Sequence, residues 1–201
     1  TLAWLAAILH AHGKMTHRNI SPYMLHPCER ITIGYETISE EAFKNLILHV
    51  AQTNGERPIS AFELIMAVSF VAFSHYHADY MLLETIMGGR DDVTNIVKAP
   101  EMAIISPISM DHTGFLGAHL SDIAKHKAGI IKENRPVIIG RQPQEVLDIL
   151  YAEAHEKNAS IFAHGKDYDY HIEGTSWHYQ GRNTYRLEIP KDMAIYLQEN
   201  L

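Results

Sequence analysis

The sequence has few cysteines, no long apolar run and no excess of basic residues. It contains one cysteine, Cys28, so it has no internal disulfide framework and fits a reducing compartment. Its most apolar stretch, residues 62–73, is too short to span a bilayer and is typical of a buried core helix. The formal net charge of −7 excludes the basic surface that nucleic acids require, although glycines and metals could still bind a nucleotide. We therefore expect a cytoplasmic protein that binds neither membranes nor nucleic acids.

Apolar periodicity alternates between helix and strand patterns along most of the chain. Helical spacing covers residues 1–12, 38–52, 60–76, 119–128 and 144–156, and short apolar strands are expected near residues 28–32, 80–84, 102–106, 136–140 and 160–163. Such alternation predicts parallel strands with crossover helices. From residue 167 the pattern alternates every two residues, with a hairpin turn at residues 180–183. The predicted fold is α/β, a three-layer and mostly parallel sheet with a small antiparallel ribbon near the C-terminus, in one domain over residues 1–201.

Three side chains with catalytic potential follow predicted strands. Glu84 ends one strand, His112 comes just after a later one, and Lys127 lies on the helix that follows His112. If the two strands are neighbours in a parallel sheet, Glu84 and His112 emerge at the carboxyl edge, where α/β folds bind ligands. The carboxylate suits Mg²⁺, whereas the imidazole makes Zn²⁺ or Mn²⁺ a competitor. The alternative is structural: a salt-bridged acid at a sheet end and a histidine that caps a loop.

Several segments together resemble one family. LLETIMGGRDDVTNIV resembles the pattern LEVGLGGRLDATN of folylpolyglutamate and dihydrofolate synthases, and ISPISMDHTGFLG with IAKHKAGIIK resembles that family's SIxxDHxxFLG and IAxEKAGIIK. Ser21-Pro22, Glu29-Arg30-Ile31 and the ISEE run at residues 38–41 resemble its SPHL, NERI and ISEE segments. The segments occur in the family's order and cover most of the chain.

The resemblance implies an ATP-dependent amide ligase of the Mur ligase superfamily, with the P-loop-type, Rossmann-like central domain of that group. Such an enzyme phosphorylates a carboxylate of dihydropteroate or of a folate glutamate tail and then joins L-glutamate to it. Ser21, Glu84 and His112 match Mg²⁺ ligands, and Lys127 matches a lysine that becomes carbamylated. Carbamylation turns a cation into an anion that can hold a second Mg²⁺. The resemblance also implies a monomer when the protein is full length.

The same resemblance implies a pterin site built from two segments. The matching residues are Ser60, Ala61, Phe62 and Glu63 in the first segment and Asp91, Asp92 and Val93 in the second. Phe62 could instead pack in the core, and Ser60 with Glu63 forms a helix capping box that can coexist with ligand binding. Near the C-terminus Asn200 matches an adenine-contacting asparagine weakly, because the residues before it differ from the family pattern.

Two expected parts of the family pattern lie outside this sequence. The glycine-rich ATP loop TNGKGS would stand immediately before Thr1, and a glutamate-binding domain would follow the C-terminus. We therefore expect this chain alone to be inactive. A non-catalytic remnant that binds pterin or metal remains an alternative, as does a Mur ligase acting on a UDP-sugar peptide, although the SP, ERI and DDVTN segments argue against the latter.

Overall fold

The computed structural model describes residues 1–189, which form two compact units. The first unit comprises Thr1–Met87 with Asp92–Ile96, and the second comprises Gly88–Asp91 with the described residues from Val97 onward. Each unit has its own buried hydrophobic cluster. Within the described residues, no helix combines the length and apolarity needed to cross a membrane.

The first unit is a four-stranded mixed sheet with helices packed on it. The strand order is β3-β2-β1-β4, in which β1 and β4 are parallel and the other pairs are antiparallel. Ile31, Phe43 and Val68 lie in its core. The strands are β1 (Thr16–Asn19), β2 (Ile31–Ile33), β3 (Glu36–Thr37) and β4 (Tyr80–Leu83); the helices are α1 (Leu2–Ala11), α2 (Glu40–Asn54) and α3 (Ala61–Ser74), with 3-10 turns at Pro27–Arg30 and Val93–Ile96.

Local capping explains where the two long helices of this unit begin. The Ser39 hydroxyl accepts a hydrogen bond from the Ala42 N–H at 3.2 Å at the start of α2. At the start of α3, Ser60 and Glu63 exchange hydrogen bonds, as the capping-box sequence predicts. Side-chain caps of this kind satisfy N–H groups that have no partner inside the helix.

The second unit contains the repeated strand–helix pattern. Its strands β5 (Ala103–Ile105), β6 (Val137–Ile139) and β7 (Ile161–Ala163) are parallel in the order β5-β6-β7. Three helices connect them: α4 (Thr113–Leu116), α5 (Leu120–Ala128) and α6 (Gln144–Glu156). Val137, Ile139, Val146 and Leu150 are fully buried between strands and helices.

The predicted antiparallel ribbon is confirmed at the end of the second unit. It consists of β8 (Asp169–Glu173), β9 (Ser176–Gln180) and β10 (Thr184–Glu188), paired in the order β10-β9-β8. Successive side chains of a β-strand point to opposite sides, so the ribbon has two faces. One face is aromatic, with Trp177 stacked near Tyr170 and Tyr179, and the other is polar.

The condition that the strands before Glu84 and His112 are neighbours in one parallel sheet is not met. β4 pairs with β1 and β5 pairs with β6, so these two strands belong to different sheets and are not hydrogen-bonded neighbours. Residues 28–30 lead into strand β2 as expected, and they do so through a 3-10 turn. The turn forms because Glu29 accepts a hydrogen bond from the His26 N–H at 2.7 Å and the His26 ring accepts one from Cys28 N–H.

Candidate active site

Ser21 and Glu84 lie together at one end of the parallel β1–β4 pair in the first unit. Asn19 and Leu83 are register partners at the carboxyl ends of these strands, and the Glu84 N–H donates to the Asn19 carbonyl at 2.9 Å. The Ser21 N–H donates to Glu84 Oε2 at 2.9 Å. Both residues are half-buried. This contact fixes one carboxylate oxygen, and no described residue donates to the other, so a hydroxyl and a carboxylate are available for a hard cation.

The second unit carries the other two predicted catalytic residues. His112 follows β5 and precedes α4 with φ of 50°, a left-handed conformation that costs a non-glycine residue free energy. Its Nε2 lies 3.6 Å from Asp111 Oδ2, and 47% of its side chain is exposed. Lys127 is half-buried in the last turn of α5. The strained backbone at His112 is the kind of outlier that occurs at functional sites.

A glycine pair packs closely against the helix that carries Lys127. A Cβ atom on Gly89, whose φ is +149°, would lie 2.7 Å from the His126 carbonyl oxygen and 3.2 Å from the Lys127 Cα. The next residue, Arg90, donates its N–H to the same carbonyl at 2.8 Å. The loop therefore needs glycine here because any side chain would push it away from α5.

The first predicted pterin segment is largely exposed at the start of α3. Phe62 is 48% exposed, which argues against the alternative that it packs in the core. Glu63 Oε2 accepts from the Ser60 N–H at 2.7 Å, and this bond lowers the pKa of the Glu63 carboxyl. Ser60 and Ala61 are exposed. The segment thus presents an aromatic face while its acid caps the helix.

Arg30 lies beside Phe62 and was missed as a candidate binding residue. It is only 6% exposed, yet its Nε and Nη1 atoms have no hydrogen-bond partner among the described residues. Its guanidinium carbon lies 5.5 Å from the Tyr23 ring centroid and 5.7 Å from that of Phe62. A buried cation without a partner is costly, so this side chain has donors ready for an acceptor. The only sequence signal was its position in the ERI segment.

The second predicted pterin segment divides between structural and exposed acids. Asp92 Oδ2 accepts from the N–H groups of Ile86 (3.0 Å) and Met87 (2.7 Å), and its Oδ1 accepts from the Thr94 N–H and hydroxyl. Four donors use the accepting capacity of this carboxylate in organising the loop. Asp91 is exposed, and the half-buried Val93 begins a 3-10 turn. Asn200 lies outside the described residues.

Comparison with protein-family models finds no match. Individual proteins are clearly similar: the chain is 36% identical over 195 residues to a probable dihydrofolate synthetase of Schizosaccharomyces pombe, covering 92% of this chain and 45% of that protein. It is 36% identical over 174 residues to a dihydrofolate synthase/folylpolyglutamate synthase of Mycobacterium tuberculosis, covering 77% of this chain and 36% of that protein. The chain therefore spans less than half the length of these relatives.

Solved structures of other proteins have a fold similar to that of this chain. A structure of E. coli FolC in complex with DHPP and ADP matches with a TM-score of 0.84 at 28% identity, covering 92% of this chain and 44% of that chain. Mycobacterium tuberculosis folylpolyglutamate synthase complexed with ADP and AMPPCP matches with a TM-score of 0.77 at 31% identity, covering 88% and 43%. The predicted α/β fold class is confirmed, and it is the fold of the Mur ligase superfamily. Within that superfamily the chain belongs to the folylpolyglutamate synthase and dihydrofolate synthase family.

Proposed function

We propose that this chain is part of an ATP-dependent ligase that joins L-glutamate to dihydropteroate or to the glutamate tail of a folate. The observation that carries the proposal is the contact between the Ser21 N–H and the Glu84 carboxylate at the ends of two parallel strands. The names of the relatives, dihydrofolate synthase and folylpolyglutamate synthase, supply the substrate class. The neighbours bound to ADP and AMPPCP support ATP as the co-substrate.

The proposed reaction has two balanced steps. A carboxylate oxygen of the pteroate or folate attacks the γ-phosphorus of ATP, and ADP leaves as the acyl phosphate forms. The amino group of L-glutamate, after losing a proton, attacks the acyl carbon, and inorganic phosphate leaves as the amide bond forms. Both steps bring anions together, so positioning and charge compensation are what a protein must provide.

The donor set at the end of β1 and β4 fits Mg²⁺. Glu84 offers a carboxylate oxygen and Ser21 a hydroxyl, both hard oxygen ligands, and Mg²⁺ commonly uses few protein ligands beside water and phosphate. A bound Mg²⁺ would offset negative charge on the phosphates of ATP. His112 as a further ligand, and a second Mg²⁺ bound with the help of a carbamylated Lys127, remain predictions from the family resemblance.

Arg30 extends the proposed substrate site. Its guanidinium lies beside the rings of Tyr23 and Phe62, and its unpartnered N–H donors are buried. A flat aromatic substrate could stack on an exposed ring while a small rotation of the Arg30 side chain turns these donors towards the substrate's acceptor atoms. We infer that Asp92 orders the loop beside the pterin, whereas Asp91 is free to accept hydrogen bonds from it. We also propose a cytoplasmic location and a monomeric full-length protein.

The decisive experiment uses the product of the complete reading frame that encodes this chain. Dihydropteroate or a reduced folate is incubated with ATP, Mg²⁺ and L-glutamate, and the product is analysed by mass spectrometry. We expect ATP-dependent addition of a glutamyl residue. Failure to extend either substrate would overturn the proposed function, and extension of a UDP-sugar peptide instead would assign a different Mur ligase activity.

Two pairs of variants test the site within the same assay. Glu84→Gln and Lys127→Ala should abolish ligation, because the first removes the carboxylate and the second the amine that is carbamylated. Glu101→Gln and Lys125→Ala are the matched controls, since both side chains are exposed. Undiminished turnover of either Glu84→Gln or Lys127→Ala would contradict the assigned role of that residue.

A further inference from the structure

The polar face of the ribbon carries three side chains that the proposed ligase reaction does not use. His171 on β8 is the register partner of His178 on β9. Their rings stack with centroids 4.8 Å apart and planes within 2° of parallel. Glu173 lies two residues beyond His171 on the same strand, and therefore on the same face. One ligand atom from each residue lies within 4.8 Å of the other two.

We propose that His171, Glu173 and His178 form a binding site for a divalent transition-metal ion, with Zn²⁺ as the preferred ion. Imidazole nitrogens and a carboxylate oxygen are ordinary Zn²⁺ ligands, whereas Mg²⁺ and Ca²⁺ favour sites made of oxygen alone. Three protein ligands leave a fourth position open to water or another ligand. The site is separate in the chain from Ser21, Glu84 and the other residues of the ligase proposal.

The three side chains are able to move the short distance that coordination requires. Zn–N bonds of about 2.0 Å place tetrahedral ligand atoms roughly 3.3 Å apart. The observed spread is within 4.8 Å, and His171 and Glu173 are exposed. Turning each imidazole about its Cβ–Cγ bond brings the nitrogens towards a common point, and this torsion is broad for histidine. The backbone register, which is the harder part to arrange, already pairs the two histidines.

Within the described residues, no hydrogen bond or ion pair holds the side chains of His171, Glu173 or His178. His178 is half-buried and its Nε2 lacks a hydrogen-bond partner there, although such a buried polar atom normally has one. The charged neighbours are Arg186, the register partner of His178 on β10, and Glu188, whose carboxylate interacts electrostatically with His178. The Arg186 guanidinium donates to Ser176 Oγ at 2.9 Å and lies 3.6 Å from Glu188 Oε1. The positive charge of Arg186 is partly offset by Glu188, but it lies on the strand next to His178 and should still repel a bound metal ion. We therefore expect micromolar rather than nanomolar affinity for Zn²⁺.

The test is metal binding by the 201-residue chain itself. Protein stripped with a chelator is titrated with Zn²⁺ by calorimetry and with Co²⁺ by visible absorption, in the presence of excess Mg²⁺. We expect one Zn²⁺ site that Mg²⁺ does not displace, and Co²⁺ absorption bands typical of a site with nitrogen ligands. His171→Asn should weaken Zn²⁺ binding at least tenfold, and Glu173→Gln should weaken it less.

The control is His155→Asn, because the chain has 14 histidines and any of them could bind metal weakly. His155 is exposed on α6 in the same unit, so this variant carries the same substitution away from the cluster. Circular dichroism verifies that all variants fold. Equal Zn²⁺ affinity in wild type, His171→Asn and Glu173→Gln would overturn the site, as would equal losses in His155→Asn. Failure of the ligase assay would leave this result unchanged.

Discussion

Replacing Arg30 should separate the stability of the first unit from its ability to bind substrate. The guanidinium is 6% exposed and has two nitrogens without partners. Two ring contacts contribute about 0.5–2 kcal/mol each. Burial of an unpaired cation costs several kcal/mol. Arg30→Met removes the charge, keeps most of the stem, and allows sulfur–aromatic contacts worth about 0.3–1.5 kcal/mol with Tyr23 and Phe62. We therefore expect the free energy of unfolding to stay the same or rise by about 1 kcal/mol.

Substrate binding should change in the opposite direction. Loss of a charge-assisted hydrogen bond worth about 1.5–3 kcal/mol corresponds to roughly a 10- to 150-fold weaker Kd. Stability is measured by urea denaturation followed by circular dichroism, and binding by fluorescence titration of the chain with dihydropteroate. Arg30→Lys keeps the charge but not the planar fork, so it should bind with intermediate affinity. Arg182→Met, at an exposed site in the ribbon turn, is the control.

A loss of more than about 2 kcal/mol of unfolding free energy in Arg30→Met would refute this reasoning, because it would mean that the guanidinium stabilises the fold. Unchanged dihydropteroate binding would refute the binding role even if stability behaves as expected. The companion variant Phe62→Ala should also weaken binding without unfolding the chain. Its matched control is Phe162→Ala, since Phe162 is 49% exposed and Phe62 is 48% exposed.

Three further predictions concern loops and pH. Asp92→Asn leaves three backbone N–H groups, those of Ile86, Met87 and Thr94, without a charged acceptor, so it should destabilise the first unit by about 2 kcal/mol in urea denaturation; Asp91→Asn should be neutral, and equal effects would contradict the loop-ordering role. Gly89→Ala should lower the denaturation midpoint because its Cβ would lie 2.7 Å from a helix carbonyl oxygen, whereas Gly114→Ala, with nothing within 4 Å, should not. The lowered pKa of Glu63 means that its ionised form stabilises the fold above the ordinary pKa and that this contribution is lost as pH falls through the folded-state pKa. The stability difference between wild type and Glu63→Gln should therefore shrink in acid, and a difference independent of pH would show that the carboxylate charge is irrelevant.

Local signals in the sequence were sufficient to predict the ribbon and five of the six α-helices of the described residues; the short α4 was expected to be a loop. The serine at position 60 and the acid three residues later predicted the capping box that starts α3, and the structure contains it. The hairpin turn at residues 180–183 separates β9 from β10 as expected. These features depend on contacts between residues close in sequence, which is why a single sequence reveals them.

Strand β1 was missed because its stability depends on distant partners. Its sequence, Thr-His-Arg-Asn, has no apolar alternation. Thr16 and His17 are nevertheless buried, since the Thr16 hydroxyl lies 2.8 Å from the His10 ring and His17 Nε2 lies 3.1 Å from the Tyr76 carbonyl. Polar side chains can form a buried strand when their hydrogen bonds are satisfied, but those partners are only identifiable once the chain is folded. The missed strand is the parallel neighbour of β4.

The structure contains acids whose carboxylates bind backbone N–H groups and one acid whose carboxylate is available to a cation, a difference that sequence motifs do not reveal. Glu29 accepts three loop N–H groups, Glu63 caps α3, and Asp92 accepts four donors. Glu84 instead accepts from the Ser21 N–H through Oε2, and no described residue donates to its Oε1. The hydrogen bond to Oε2 also fixes the orientation of Oε1. A carboxylate that is already oriented loses less conformational entropy when it binds a metal than a mobile surface carboxylate does. Mg²⁺ affinity of the first unit should therefore depend on Glu84 far more than on the other three acids.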